Sequence, residues 1–161
     1  MTISDTNKLL LKDIFGIAAR LSLAVTFVWA CLHKIASPSE FALQVATYQI
    51  LPLSLVNLQA VALPWVELTA GLLLIAGFWT RPAALVTIGM NIMFIAAIAL
   101  ALKADLHLQC GCFASPGAGE EMTASLIVRD ALFIGVAAVL TALGPDRLTL
   151  DHRLQRRKSH A

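Results

Sequence analysis

Two cysteines separated by one glycine, Cys110-Gly111-Cys112, are the sharpest chemical signal in this sequence. Gly111 lets the chain turn tightly, so the two sulfurs can meet in a small, strained ring. Strained, exposed disulfides are the labile ones, suited to exchange with a partner. As thiols, the same pair could hold a soft metal with His107 three residues before it. Two cysteines alone fall short of the four ligands that zinc wants, and no metal set is assigned. The plainest alternative is two unrelated loop cysteines, and the residues leave all three readings open. Cys31, the remaining cysteine, is a possible relay for a disulfide or simply a small core residue. His33 and Lys34 follow it; a nearby cation lowers a thiol pKa, but plain interfacial anchoring is the simpler role.

Three ionisable residues stand where apolar ones are the rule: Glu67, Arg129 and Asp130. Each interrupts a long apolar run, and ionisable groups in such runs are usually paired or functional. The spacing predicts a Glu67–Arg129 pair, acting either as structural glue or as a proton or quinone site. Pro64, one turn before Glu67, frees the carbonyl of Ala60 and makes that helix irregular there. Arg20 is expected to reach the nearer interface by extending its chain.

These residues need helices that cross a bilayer. The chain is 58% hydrophobic and only 14% charged over 161 residues, with a mean hydropathy of +0.79. So much apolar surface exceeds what a soluble core of this size could hide. Four runs reach the ~20 residues that a span requires: about 14–32, 58–79, 82–102 and 124–143. The fold class is therefore an all-α membrane protein, an antiparallel bundle of four transmembrane helices in the lipid bilayer. Residues 1–145 form that domain, and 146–161 form a basic tail. Between the first two spans, Ser37-Pro38 opens a short helix with Phe41, Val45 and Tyr48 on one face, expected to be interfacial. Trp29, Trp65 and Trp79 fit interfacial belts; Met90 and Met93 read as packing.

Charge sets the orientation. With the N-terminus inside, Lys8, Lys12, Arg81 and the tail cations Arg147, Arg153, Arg156, Arg157 and Lys158 are cytoplasmic, while only Lys34 and Lys103 face out. Both termini are then cytoplasmic, and the cysteine loop lies where disulfides persist, the periplasmic side of a bacterial inner membrane. A net charge of +2 and a basic run without aromatic platforms give no case for nucleic acid. A cleaved signal is disfavoured, because Arg20 breaks the first apolar run and no small-x-small site follows.

The run from Arg20 into His33-Lys34-Ile35, then Pro38, Phe41, Tyr48, Leu51-Pro52 and Pro64-Trp65-Val66-Glu67-Leu68, resembles the DoxX-like membrane proteins. Cys110-Gly111-Cys112-Phe113, followed by a helix with Arg129-Asp130, resembles the methylamine-utilisation MauE branch of that group. The resemblance covers about residues 14–143. It implies a four-helix inner-membrane protein that supports maturation of the disulfide-rich small subunit of methylamine dehydrogenase, beside a periplasmic thioredoxin-like partner. Broader DoxX-like members imply a quinone as a possible cofactor. A soft-metal handling or uptake protein, a quinone-linked DoxX-like oxidoreductase subunit and a non-catalytic assembly factor are the alternatives. Two departures stand out: Ala114 follows Phe113 where the family motif continues with glycine, and Cys31 occupies a place expected to hold a small residue.

Overall fold

A computed structural model describes residues 3–48, 52–103, 124–143 and 149. Among these, all regular structure is helical, in five elements: α1 (Ile3–Ala36), α2 (Pro38–Thr47), α3 (Leu53–Ala76), α4 (Thr80–Lys103) and α5 (Ala124–Leu143). Four of them, all but α2, are long and apolar enough to cross a membrane, over Lys12–Ala36, Ser54–Ala76, Thr80–Lys103 and Ser125–Leu143. The α5 bounds agree with the sequence reading, whereas α1 continues well beyond residues 14–32 on both sides.

Local chemistry explains the breaks. Pro38 cannot donate a backbone hydrogen bond but suits the first turn of a helix, so α2 starts there. Pro52 caps the start of α3 in an extended conformation, and Gly77 ends α3 in the left-handed region at φ 64°. Trp79 follows with φ 49°, which makes the α3–α4 connection a tight reversal. Pro64 sits inside α3 without ending it.

In lipid no hydrophobic force drives helices together, so close packing of small residues must do it. The core is accordingly rich in alanine: Ala19, Ala24, Ala70, Ala83, Ala84 and Ala137 are all buried. A Cβ on Gly71 would come within 2.8 Å of Val28 Cγ2 and 3.3 Å of the Ala24 carbonyl, so α1 and α3 touch nearly backbone to backbone. Many large apolar side chains point outward; Leu58, Trp29 and Trp79 are at least 60% exposed, as lipid-facing residues should be. Hydroxyls satisfy themselves on preceding carbonyls, as in Thr26 to Ser22 (2.8 Å) and Thr69 to Trp65 (2.7 Å).

Arg20 pairs in level with Gly77, Ala24 with Gly71, and Lys34 with Glu67, so α1 and α3 run antiparallel. α1 packs chiefly on α3, and α4 chiefly on α5. α2 packs on α3 and α1 at the end where α1 stops. Its predicted face is the one that packs: Phe41 is buried in the main core with Val45 against it, and Tyr48 covers a second cluster of Ile98, Ala101 and Leu126. This end is called the α2 end below.

Candidate functional site

The main correction to the sequence reading concerns Glu67. Its partner is Lys34, not Arg129: Lys34 Nζ donates to Glu67 Oε1 at 2.7 Å and Oε2 at 2.9 Å. Both side chains are almost completely buried, with 3% and 1% exposure, so Lys34 is no interfacial anchor. Its stem follows the last turn of α1 inward, and the antiparallel α3 presents Glu67 one level below. The Phe41 and Phe94 rings flank the ammonium, each with its centroid 5.3 Å from Nζ. Cation–π contacts replace part of the hydration that the ammonium loses.

Arg129 takes its neighbour instead. Arg129 Nη2 and Nε donate to Asp130 Oδ1 at 2.9 and 3.0 Å. Asp130 is 2% exposed, and its other oxygen, Oδ2, has no hydrogen-bond partner among the described residues. The two ion pairs still share one place. Lys34, Glu67, Asn91, Arg129 and Asp130 all line a single pocket of about 20 Å³, together with Phe27, Phe94 and Phe133. α1, α3, α4 and α5 each contribute a polar side chain to it. Two cations meet two carboxylates, so the cluster is charge-balanced in the low-dielectric interior, where a lone charge would cost about 2.5–3.5 kcal/mol.

Asn91 and Thr87 form the polar ladder of α4 that the sequence reading passed over. Asn91 Nδ2 donates to the Thr87 carbonyl at 2.8 Å, and Thr87 Oγ1 to the Ala83 carbonyl at 3.0 Å. Both side chains are buried. The available signal was polarity at i and i+4 in an otherwise apolar span.

A larger cavity, about 220 Å³, lies above the cluster between α2, α3 and α4, and Lys34 lines both spaces. Tyr48 stands on its α2 wall. Burial pushes the Tyr48 phenol up to about 12, and the Asp130 carboxylate adds to the push.

The remaining predicted residues divide by position. Cys31 is free and fully buried, its thiol donating to the Val28 carbonyl at 3.1 Å. Arg20 is 5% exposed and packs against Gly77 just past the end of the Ser54–Ala76 span, its Nε and Nη1 without hydrogen-bond partners among the described residues. Met90 is buried and packs in the core, as read; Met93 instead accepts from Gln59 Nε2 at 3.8 Å across the α3–α4 gap. Cys110, Cys112 and His107 lie outside the described residues, and among the described residues no three His, Cys, Asp or Glu side chains could hold a metal together.

The family model "Methylamine utilisation protein MauE" matches residues 12–143. A methylamine utilization protein MauE from Paracoccus denitrificans is 31% identical over 137 residues, covering 82% of this chain and 73% of the relative. One from Methylophilus methylotrophus is 29% identical over 126 residues, covering 78% and 66%. No solved structure matches the chain. A multi-pass helical bundle, matched by the family model across all four long helices, belongs to the methylamine utilisation protein MauE family.

Proposed function

We propose that this protein is an inner-membrane accessory factor that exchanges a disulfide, through Cys110 and Cys112, with a periplasmic thioredoxin-like protein. By the name of its family, the system served is methylamine utilisation, where a disulfide-containing periplasmic protein must mature. The exchange conserves electrons: a thiolate attacks a partner sulfur, a mixed disulfide forms, and the second thiolate resolves it. One dithiol is oxidised as one disulfide is reduced, with two electrons and two protons changing hands.

The observation that supports this reading is the position of the cysteine connection. α4 stops at Lys103 and α5 starts at Ala124, both on the α2 end. The Cys-Gly-Cys segment therefore joins the bundle at the end opposite Arg81 and the α3–α4 reversal. By the distribution of basic residues, that end is periplasmic and both termini are cytoplasmic. Cys31, with its thiol inside the bundle, would need α1 and α3 to part before it could relay anything.

The test uses intact cells and a membrane-impermeant thiol reagent. Cys110 and Cys112 should react only after mild reduction, and Cys110→Ser should trap a mixed disulfide with a partner through Cys112. Full function of the Cys110→Ser/Cys112→Ser double variant would end the proposal.

A further inference from the structure

The small polar pocket lies where the two halves of the bundle meet, α1 packed on α3 and α4 packed on α5. Each half brings its own ion pair, Lys34–Glu67 on one side and Arg129–Asp130 on the other. Arg129 occupies Asp130 Oδ1, which leaves Oδ2 as a buried acceptor with no hydrogen-bond partner among the described residues. In a low-dielectric interior an unmet acceptor is costly, and a charged one more so.

Donors for it stand on the same wall. An ammonium has three N–H groups, and Lys34 gives two of them to Glu67. The third is available to the pocket that Lys34 lines. Asn91 spends one N–H on the Thr87 carbonyl and keeps further amide valences. Neither Lys34 nor Asn91 closes the gap by itself, because each is already tied to its own helix neighbour.

Charge and size then narrow the ligand. Two cations balance two carboxylates here, so an inorganic cation or anion would break the balance. An apolar group of the same size would leave Oδ2 unmet. The ligand must be neutral, must accept from Lys34 and must donate to Asp130. It must also fit about 20 Å³. One water needs roughly 10–15 Å³ of such space and two to four polar partners.

We propose that this pocket binds a single water molecule, accepting from Lys34 Nζ and donating to Asp130 Oδ2, with Asn91 as its third partner. So held, the water joins the Lys34–Glu67 pair of α1 and α3 to Asn91 of α4 and Asp130 of α5. The two halves of the bundle then share one polar centre instead of meeting on apolar contact alone. The way in is the cavity of about 220 Å³ that Lys34 also lines, where Gln44, Tyr48 and Gln59 carry polar groups toward the α2 end. The site goes beyond the thiol reading and needs neither Cys110 nor Cys112.

The experiment is pulsed X-ray radiolysis of the purified full chain in detergent micelles, equilibrated with heavy-oxygen water. A hydroxyl radical made from a bound water attacks the side chains that touch it, and peptide mass spectrometry then locates the heavy oxygen. Phe27, 5% exposed and on the pocket wall, should take it up. Leu23 and Leu74, fully buried but off the pocket, should not. Ala30→Val adds bulk to the pocket from α1 and should abolish the Phe27 uptake, with the melting temperature near wild type. Comparing variants at one residue cancels its intrinsic reactivity. Asn91→Leu keeps the volume but removes the third partner; it should lower the uptake, and it keeps the test valid if Ala30→Val misfolds. No heavy oxygen at Phe27 in wild type, or uptake unchanged in a folded variant, would overturn the site. Uptake that extends to Leu23 and Leu74 would mean radicals entering through an opened bundle and would overturn it equally. The Cys110→Ser/Cys112→Ser variant should keep the signal, so a failure of thiol exchange leaves this site standing.

Discussion

Arg20 and Lys34 are two cations on the same helix, both about 95% buried, with opposite solutions to burial. Lys34 has a carboxylate in bidentate contact and two aromatic rings beside it. Among the described residues no carboxylate is paired with Arg20, and its Nε and Nη1 have no hydrogen-bond partner against the end of α3. The difference lies in depth and in what the neighbouring backbone supplies. Lys34 reaches the middle of α3, where the helix backbone offers no terminal partial charge. Arg20 lies at the C-terminus of α3, where unsatisfied carbonyls sum to about half a negative charge. At mid-span a full counter-ion meets the cation, whereas at the helix end the described residues supply only the partial charge of the α3 terminus.

The largest effect should come from breaking the deep pair. Glu67→Leu strands Lys34 in the interior and should lower stability by about 3–5 kcal/mol. Adding Lys34→Met should recover most of that loss, read as detergent melting curves of the four variants. Simple additivity of the two losses would mean that the pair is not coupled.

At the other end, Gly77→Ala should cost about 1–2 kcal/mol, because an alanine is strained at φ 64° and its Cβ must displace the Arg20 guanidinium. Arg20→Met should change stability by less than about 1 kcal/mol or raise it, since each unpaired buried donor carries a desolvation cost of about 1–3 kcal/mol. A loss as large as that of Glu67→Leu would show that Arg20 has a full counter-charge and would erase the contrast.

The smallest effect is spectroscopic. Tyr48 is the sole tyrosine, so tyrosinate absorbance reports it alone. Its titration should centre near 12, and Asp130→Asn should lower that value. The raised folded-state value also fixes a sign. The contribution of neutral Tyr48 to stability is complete below its ordinary value near 10 and is lost as pH rises through about 12. A midpoint near 10 in the folded protein would mean that Tyr48 is not buried by α2.

The helices were plain in the sequence because their cause is local: about 20 apolar residues in a row dictate a span whatever surrounds them. Glu67 was recognisable for the same reason, as a charge in the wrong solvent. Its partner was not. Matching depths by rise per residue favoured Arg129, but helix ends are offset in this bundle, and a lysine stem reaches a full turn beyond its Cα. Lys34 looked like an anchor because it closes an apolar run, where anchors ordinarily stand. Asp130 was visible as a charged residue, but its sharing of a chamber with Asn91 depends on the pairing of α4 with α5, which no local pattern encodes.

The two ion pairs also differ in when the ribosome completes them. Arg129 and Asp130 are consecutive, so that charge is balanced as soon as it is synthesised. Glu67 follows Lys34 by 33 residues, which at 5–20 residues per second is about 2–7 s of translation. For that interval α1 carries a cation without its counter-ion, and the α1–α3 contact at Gly71 has yet to form. A chain stopped after α2 should therefore leave α1 unanchored in the membrane and open to quality-control proteolysis, while one stopped after α3 should be retained.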